Sequence, residues 1–279
     1  MQGNFCPFTG PVSLSYISAM TLNPESNWFG TEAVTPAEKT AKVRGVFDSV
    51  ADRYDLMNDL MSGGVHRLWK DRLIREIRPR PGLRYLDVAG GTGDIAFRMK
   101  ERLLETRPSG NNKEENSEIL LCDLDEQMLR VGRDRAINKG WLNDFQWITG
   151  NAEALPVPDN SVDVVTISFG LRNVTRIDTA LQEFYRVLKP GGRFFCLEFS
   201  RVEAPVLARL YDSYSYAVIP RMGALVTKDR ASYQYLVESI RKMPPQRELV
   251  HRMGAAGLAR ARYMDLSFGI AAIHTGWKI

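Results

Sequence analysis

The chain has no run approaching the roughly eighteen consecutive apolar residues that a membrane-spanning helix requires, which leaves a protein in water or at most against a membrane surface. Cysteine is scarce. Cys6, Cys122 and Cys196 lack metal spacing, and the last two fall in strand-like runs where a thiol acts as a small core hydrophobe, so a reducing interior compartment fits best. His66, His251 and His274 form no His-x-x-x-His pair, and no metal is expected. Charge of one sign is not gathered anywhere: 37 Lys and Arg against 33 Asp and Glu give +4, interleaved along the chain, which describes a solvated surface and speaks against nucleic-acid binding. Residues 1–24 carry no charged side chain. Such a segment is poor in acids, as a mitochondrial presequence is, but it lacks the arginines of one, and Pro7, Gly10 and Pro11 interrupt any secretory apolar run. Residues 1–36 are expected to be a disordered tail ahead of one domain over 37–279.

What the chain does have is an apolar fraction of 44%, enough for a sizeable core, and a regular alternation of patterns. From Ala37 to about Arg78 apolar positions recur at helical spacing, with a bend expected at Gly63-Gly64 and a stop at Pro79, Pro81 and Gly82. Strand-length apolar runs then lie near 83–89, 119–123, 145–149, 162–168 and 193–199, separated by amphipathic stretches, and two more near 261–268 and 270–278 read as a terminal hairpin. This predicts an α/β fold: a doubly wound, mostly parallel seven-stranded sheet, Rossmann-like, with a helical cap over the tyrosine-rich residues 205–245. Residues 106–117 are polar without periodicity and predict a mobile insertion. Lys189-Pro190-Gly191-Gly192 reads as the end of a helix and the launch of the fifth strand.

The most informative stretch is Leu83-Arg84-Tyr85-Leu86-Asp87-Val88-Ala89-Gly90-Gly91-Thr92-Gly93-Asp94, an apolar strand emptying into a glycine loop with a carboxylate near its edge. Glycines let the chain reverse sharply and bring backbone amides close to a ligand. Gly91 and Gly93 satisfy the loose dinucleotide spacing, so glycines alone do not choose between NAD and S-adenosylmethionine (SAM). Asp87 favours SAM, because a carboxylate repels a pyrophosphate but attracts a ligand carrying an ammonium and a sulfonium.

Ligands of open α/β sheets sit at the carboxyl ends of the strands, so each strand exit was read for suitable groups. The second ends in Asp123-Leu124-Asp125, where a carboxylate can accept from both ribose hydroxyls; Asp123 is the first choice and Asp125 the second. The third exits through Gly150-Asn151-Ala152-Glu153, where Asn151 suits an adenine edge or, equally, a turn. The fourth exits as Ser168-Phe169-Gly170-Leu171-Arg172-Asn173-Val174, without the Pro-Pro-aromatic turn expected of nucleobase amine methylation. Arg172 and Asn173 offer a cation and an amide where a methyl acceptor would lie, with a surface salt bridge as the competing reading of Arg172.

Taken together, Tyr54-Asp55-x-Met57-Asn58 with Ser62, His66 and Trp69, the glycine loop, Phe169-Gly170-Leu171-Arg172-Asn173-Val174, and Arg186-Val187-Leu188-Lys189-Pro190-Gly191-Gly192-Arg193 through Leu197-Glu198-Phe199-Ser200 resemble the ubiquinone/menaquinone biosynthesis C-methyltransferase family. The resemblance runs from about residue 28 to the end and includes Ser232 to Ile240 and Ala271 to Gly276. It implies a SAM-dependent enzyme that methylates a ring carbon of a polyprenylated benzoquinol, beside other enzymes of a membrane-associated complex, with a homodimer among the states it allows. By position, Thr92, Asp123, Asn151, Ala152 and Ser168 match the family's cofactor contacts, and Tyr54, Arg172 and Asn173 its substrate-activation group. The polar insertion resembles the eukaryotic branch and implies mitochondria, at the matrix face of the inner membrane.

Guanidinium pKa values above about 12 make Arg172 unsuited to act as a base, so it is assigned to stabilising a phenolate. His66 is the candidate proton acceptor, against a core histidine as the plainer reading. Tyr211, Tyr214, Tyr216, Tyr233 and Tyr235 are expected to wall the acceptor pocket. Three rivals remain: a naphthoquinol acceptor, an idle scaffold subunit, and an NAD-dependent oxidoreductase.

Overall fold

Strands that are apolar on both faces must be covered on both faces, and that requirement shapes this molecule. A computed structural model describes residues 27–29, 32–35, 37–39, 41–43, 45, 59, 62, 64–105, 117–202 and 230–279. A hairpin of β1 (Asn27–Phe29) and β2 (Glu32–Val34) precedes the sheet strands β3 (Arg84–Val88), β4 (Glu118–Asp123), β5 (Phe145–Thr149), β6 (Val162–Ser168), β7 (Leu188–Phe199), β8 (Ala259–Leu266) and β9 (Ala271–Trp277). The sheet order is β5-β4-β3-β6-β7-β9-β8, parallel from β5 through β7, with β9 antiparallel between β7 and β8. Strand order reverses beside β3, with β4 on one side and β6 on the other. This is the place where a doubly wound sheet opens a crevice.

The helices are α1 (His66–Ile77), α2 (Asp94–Glu105), α3 (Glu126–Asn138), α4 (Ile177–Val187), α5 (Arg230–Lys242) and α6 (Gln246–Ala255). Alternate residues of each strand enter different cores. Tyr85, Ile119 and Leu121 meet Leu73, Phe97 and Leu129 from α1, α2 and α3 on one face. Leu86, Leu120 and Cys122 join Leu181, Phe184 and Met253 from α4 and α6 on the other. Among the described residues no helix is long and apolar enough to cross a membrane.

Two expectations need correction. Residues 27–29 and 32–34 are not part of a disordered tail: they pair as a hairpin, Asn27 with Val34 and Phe29 with Glu32, their aromatic and β-branched content being that of strands. Thr35 and Glu38 then form a capping box, Thr35 N donating to Glu38 Oε2 at 2.8 Å and Glu38 N to Thr35 Oγ1 at 3.3 Å, which starts the helical turn at Ala37. The Lys-Pro-Gly-Gly run does not precede the fifth strand but lies within it. β7 begins at Leu188, pairs with Val162, and bulges before Arg193 pairs with Val164. Gly191, at φ +82°, donates to Lys278 O at 2.7 Å and so ties the bulge to the chain's last residues. The expected bend near Gly63-Gly64 is present as a turn at Gly64, φ +81°, just before α1. Residues 1–26, 106–116 and 203–229 lie outside the described residues, and with them the insertion and most of the expected cap.

Phe184 is fully buried and stacks on Phe194 of β7 with centroids 5.2 Å apart. Phe184→Ala should therefore lower stability by about 3–5 kcal/mol, the range for truncating a core aromatic, read from the midpoint of denaturant unfolding.

Candidate active site

The crevice beside β3 is a cleft of about 1150 Å³ counted out to its mouth. Its walls come from the exits of β3, β4, β5 and β6, together with Val43 and Lys70 from the helical segments ahead of the sheet. At the floor, two exits turn in the left-handed backbone region at non-glycine residues, Ala89 at φ +49° and Phe169 at φ +55°. Such conformations persist only where the surroundings enforce them. Here the exits press together: a Cβ on Gly170 would lie 2.5 Å from that of Ala89. Gly93, at φ +88°, faces the Phe97 ring, where a Cβ would come within 2.9 Å, so the loop can follow this path only with glycine there.

Asp87 is 1% exposed. Its Oδ1 accepts from Thr166 Oγ1 at 2.6 Å, while Oδ2 is buried with no hydrogen-bond donor among the described residues. Burial, with Asp123 and Asp94 adding negative charge, pushes its pKa up to about 7. Ser168 Oγ, at the exit of β6, is likewise buried with no hydrogen-bond partner among the described residues. Asp123 Oδ2 accepts from Gly91 N at 2.8 Å and Oδ1 from Asp125 N at 2.9 Å, and burial raises its pKa to about 6. Asp123 lines the cleft, and a carboxylate oxygen that accepts one hydrogen bond has capacity for another. Asp125 is not their equivalent. It is the N-cap of α3, accepting from Gln127 N at 2.8 Å, and so holds the helix.

Thr92 lines the cleft with its hydroxyl already receiving Arg135 Nη1 at 2.7 Å. Asn151 also lines it, with Ala152, and the turn reading is the one observed: Oδ1 accepts from Glu153 N at 2.9 Å, an Asx turn. Glu153 fastens the far wall, accepting from Thr175 N and Arg176 N at 3.0 Å each. Lys39 Nζ donates to Val174 O at 3.0 Å, tying the first helical turn to the same wall.

The acceptor side departs from expectation. Asn173 lines the cleft, but Arg172 does not. The Arg172 side chain is fully buried, its Nη1 donating at 2.6 Å both to Glu198 Oε1 and to Phe169 O, with Phe199 under the guanidinium. Neither a surface salt bridge nor a lone cation beside the acceptor, it is half of a buried ion pair whose net charge is zero. Glu198 was overlooked as a functional residue, although a single acid inside the apolar run Leu197-Glu198-Phe199 marks it in the sequence. His66 is not in the cleft either. It is 2% exposed, Nε2 bonds Asp59 Oδ1 at 2.8 Å, and burial followed by the Lys70 charge holds its pKa below the usual histidine value. Lys70, one turn further on, reaches the cleft instead and binds Asp94 Oδ2 at 2.5 Å. Tyr54 lies outside the described residues, as do Tyr211, Tyr214, Tyr216 and the Tyr233 side chain. Tyr235, from α5, is buried and donates to Asn173 Oδ1 at 3.0 Å.

Residues 35–278 match the model of the ubiE/COQ5 methyltransferase family. The chain belongs to that family. It is 48% identical to the mitochondrial 2-methoxy-6-polyprenyl-1,4-benzoquinol methylase of Gallus gallus, covering 92% of this chain and 90% of that protein. It is 52% identical to the ubiquinone/menaquinone biosynthesis C-methyltransferase UbiE of Brucella abortus, covering 90% of each. A SAM-dependent methyltransferase of Thermotoga maritima shares the fold, with TM-score 0.57 at 18% identity, over 85% of this chain and all of that one. The enzyme is a SAM-dependent methyltransferase. Its cleft fits that cofactor on physical grounds: Asp87 is a buried carboxylate lacking a cation, and SAM brings one. Asp87 and Ser168 would hold the charged amino-acid end, Asp123 the ribose, and Asn151 with Ala152 the adenine edge.

Two outcomes follow. Asp87 carries its proton in the folded protein up to about pH 7 but only to about pH 4 when unfolded, so the protein alone should lose stability as pH rises through that window. A bound cation favours the ionised form, so SAM affinity should rise between about pH 5 and 7, by at most tenfold per unit per proton released, and level off above; Asp87→Asn should flatten the profile. Calorimetric titration in buffers of different ionisation enthalpy reads both affinity and proton release, and a flat wild-type profile would contradict the assignment. Arg172→Ala leaves Glu198 buried without its cation and should cost about 3–5 kcal/mol, whereas the double change Arg172→Met with Glu198→Gln should recover much of that stability in thermal unfolding.

Proposed function

We propose that this enzyme transfers a methyl group from SAM to a ring carbon of a polyprenylated benzoquinol of the 2-methoxy-6-polyprenyl-1,4-benzoquinol type, a step in ubiquinone biosynthesis. The observation that carries this reading is the near-full-length similarity to the Gallus gallus enzyme of that name, which spans the cofactor cleft and the 171–173 turn together. The cleft supports it. Val43, Phe169 and Val174 give the acceptor side an apolar lining with one amide, Asn173, among them. An aromatic ring with oxygen substituents suits such a surface better than a charged acceptor does.

SAM supplies an electrophilic methyl on a sulfonium. The chain's part is to place a nucleophilic carbon in line with it and to raise that carbon's electron density. The Asn173 amide would donate to a quinol oxygen as negative charge develops there, which is worth most in a cleft from which water is excluded. Arg172 contributes differently from a free cation: its pairing with Glu198 and Phe169 O fixes the turn that carries Asn173. The quinol hydroxyl gives its proton to solvent, the ring carbon takes the methyl as the carbon–sulfur bond breaks, and the resulting neutral dienone loses its ring hydrogen as a proton. Because that loss restores the aromatic ring, a weak acceptor such as water suffices for that proton. His66, bound to Asp59 away from the cleft, is not placed to take it directly.

The mitochondrial relatives support a mitochondrial location. We place the enzyme at the matrix face of the inner membrane as a peripheral protein, beside other enzymes of the same pathway, because a polyprenylated acceptor is itself dissolved in a lipid bilayer. A naphthoquinol acceptor is the second reading, favoured by the name and 52% identity of the Brucella abortus protein.

Product mass after incubation with SAM and either a benzoquinol or a naphthoquinol of matched isoprenoid length separates the two. A gain of one methyl on the benzoquinol alone is expected; methylation of the naphthoquinol alone would transfer the assignment. Asn173→Ala should cut turnover by about 10²-fold, as loss of one donor to a developing oxyanion does, with SAM affinity within about twofold of wild type.

A further inference from the structure

The 171–173 turn is shared by two layers of structure. Asn173 lines the cleft, and helix α5 packs on the same turn and brings Tyr235 to it. Tyr235 is 3% exposed, and its hydroxyl donates to Asn173 Oδ1 at 3.0 Å. An amide has two ends. With its oxygen engaged by a phenol, the N–H₂ end of Asn173, which has no partner among the described residues, is the end left to serve the cleft.

We propose that Tyr235 is a positioning residue for methyl transfer: its hydroxyl sets the orientation of the Asn173 amide, so that the donor facing the acceptor is in place only when helix α5 is seated on the 171–173 turn. The proposal rests on the acceptor reading given above. Three features support it. The phenol is a dependable donor, because burial pushes its pKa up to about 12, with Arg172 and Glu198 opposing one another nearby, and it stays protonated throughout the range in which enzymes work. The turn itself is anchored independently of Tyr235, by Arg172 Nη1 on Phe169 O and by Arg172 N on Glu198 Oε2 at 3.3 Å, so the hydroxyl is not needed to hold the backbone. Val237 and Ile240 of the same helix sit in the main core beside Phe169 and Phe199, so α5 is seated without the Tyr235 hydroxyl as well. What the hydroxyl adds is direction to one side chain.

Helix α5 follows directly on residues 203–229 in the chain. An element outside the sheet thereby acts on the acceptor half of the cleft through Tyr235, which among the described residues is not itself part of the lining.

The test uses the full chain with SAM and a benzoquinol bearing a short isoprenoid chain. Tyr235→Phe keeps the ring and removes the hydroxyl. Its kcat should fall about tenfold, the equivalent of one well-placed hydrogen bond, while the SAM dissociation constant from calorimetry and the quinol KM stay within about twofold of wild type. In an Asn173→Ala background the same change should cost less than about twofold, because the amide it orients is gone. A residue that merely stabilised the fold would lower the unfolding temperature and SAM affinity together, and its effect would multiply with that of Asn173→Ala. Wild-type kcat in Tyr235→Phe, or multiplicative losses in the double variant, would overturn the proposal. Absence of methylated quinol from the wild-type enzyme would overturn the acceptor reading first and this inference with it.

Discussion

The site is organised by a carboxylate placed where a carboxylate is costly. Asp87 sits between β4 and β6, opposite Leu121 and Thr166, on a strand where Tyr85, Leu86 and Val88 are core. One hydroxyl bond does not compensate an ionised acid taken out of water. Either the group keeps its proton, as a pKa near 7 implies, or a cation arrives. The folded chain thus carries an electrostatic deficit that a sulfonium nucleoside corrects and that a pyrophosphate would deepen. Much of the remaining donor half follows from that choice. The Gly90–Gly93 loop must pass close over Asp87, and the β6 exit must turn against it at Ala89, which is why left-handed backbone and close contacts gather at this point.

The acceptor half answers a different demand. Ionising a quinol oxygen calls for donors rather than acids, and a naked guanidinium would supply one at the expense of a buried charge. The structure avoids that expense. Arg172 and Glu198 enter the core as a neutral pair, and the pair's use is geometric: it clamps the 3-10 turn from which a neutral amide reaches the cleft. Removing either partner alone would expose the cost of burying the other, so loss of activity in a single variant would confuse catalysis with stability.

The sheet was legible in the sequence because strand periodicity, glycine turns and the position of acids at strand exits are local signals. All seven strands, the turn at Gly64 and the acids at the exits of β3 and β4 could be read in that way. What the pattern leaves open depends on which partner each side chain takes in the fold. Arg172 reads as a cation in its own segment, and only the approach of β7 at Glu198, 26 residues on, turns it into half of a pair. His66 reads as a base until Asp59 occupies its Nε2 and burial removes it from the cleft. Asp125 and Asp123 are indistinguishable in a strand-exit pattern, but the first turn of α3 takes Asp125 as its cap. In each case composition supplied the right chemistry and left its direction undetermined.

That contrast bears on how such a fold could change its acceptor without losing its cofactor. The donor half is held by the sheet itself: Asp87 is fixed by two strand ladders, and Asp123 by the amides of Gly91 and Asp125. The acceptor half is held partly by the sheet, through Glu198 on Arg172 and Glu153 on the amides of Thr175 and Arg176, and partly by elements joined to it from outside, Lys39 on Val174 O and Tyr235 on Asn173. Displacing any of those elements by a fraction of an ångström alters where the Asn173 amide points while leaving the strands, and therefore the SAM contacts, where they were. Specificity for the ring to be methylated is then a property of helix placement, and cofactor binding a property of sheet register. The two can vary separately where Lys39 and Tyr235 act, because neither residue belongs to the ladders that fix Asp87.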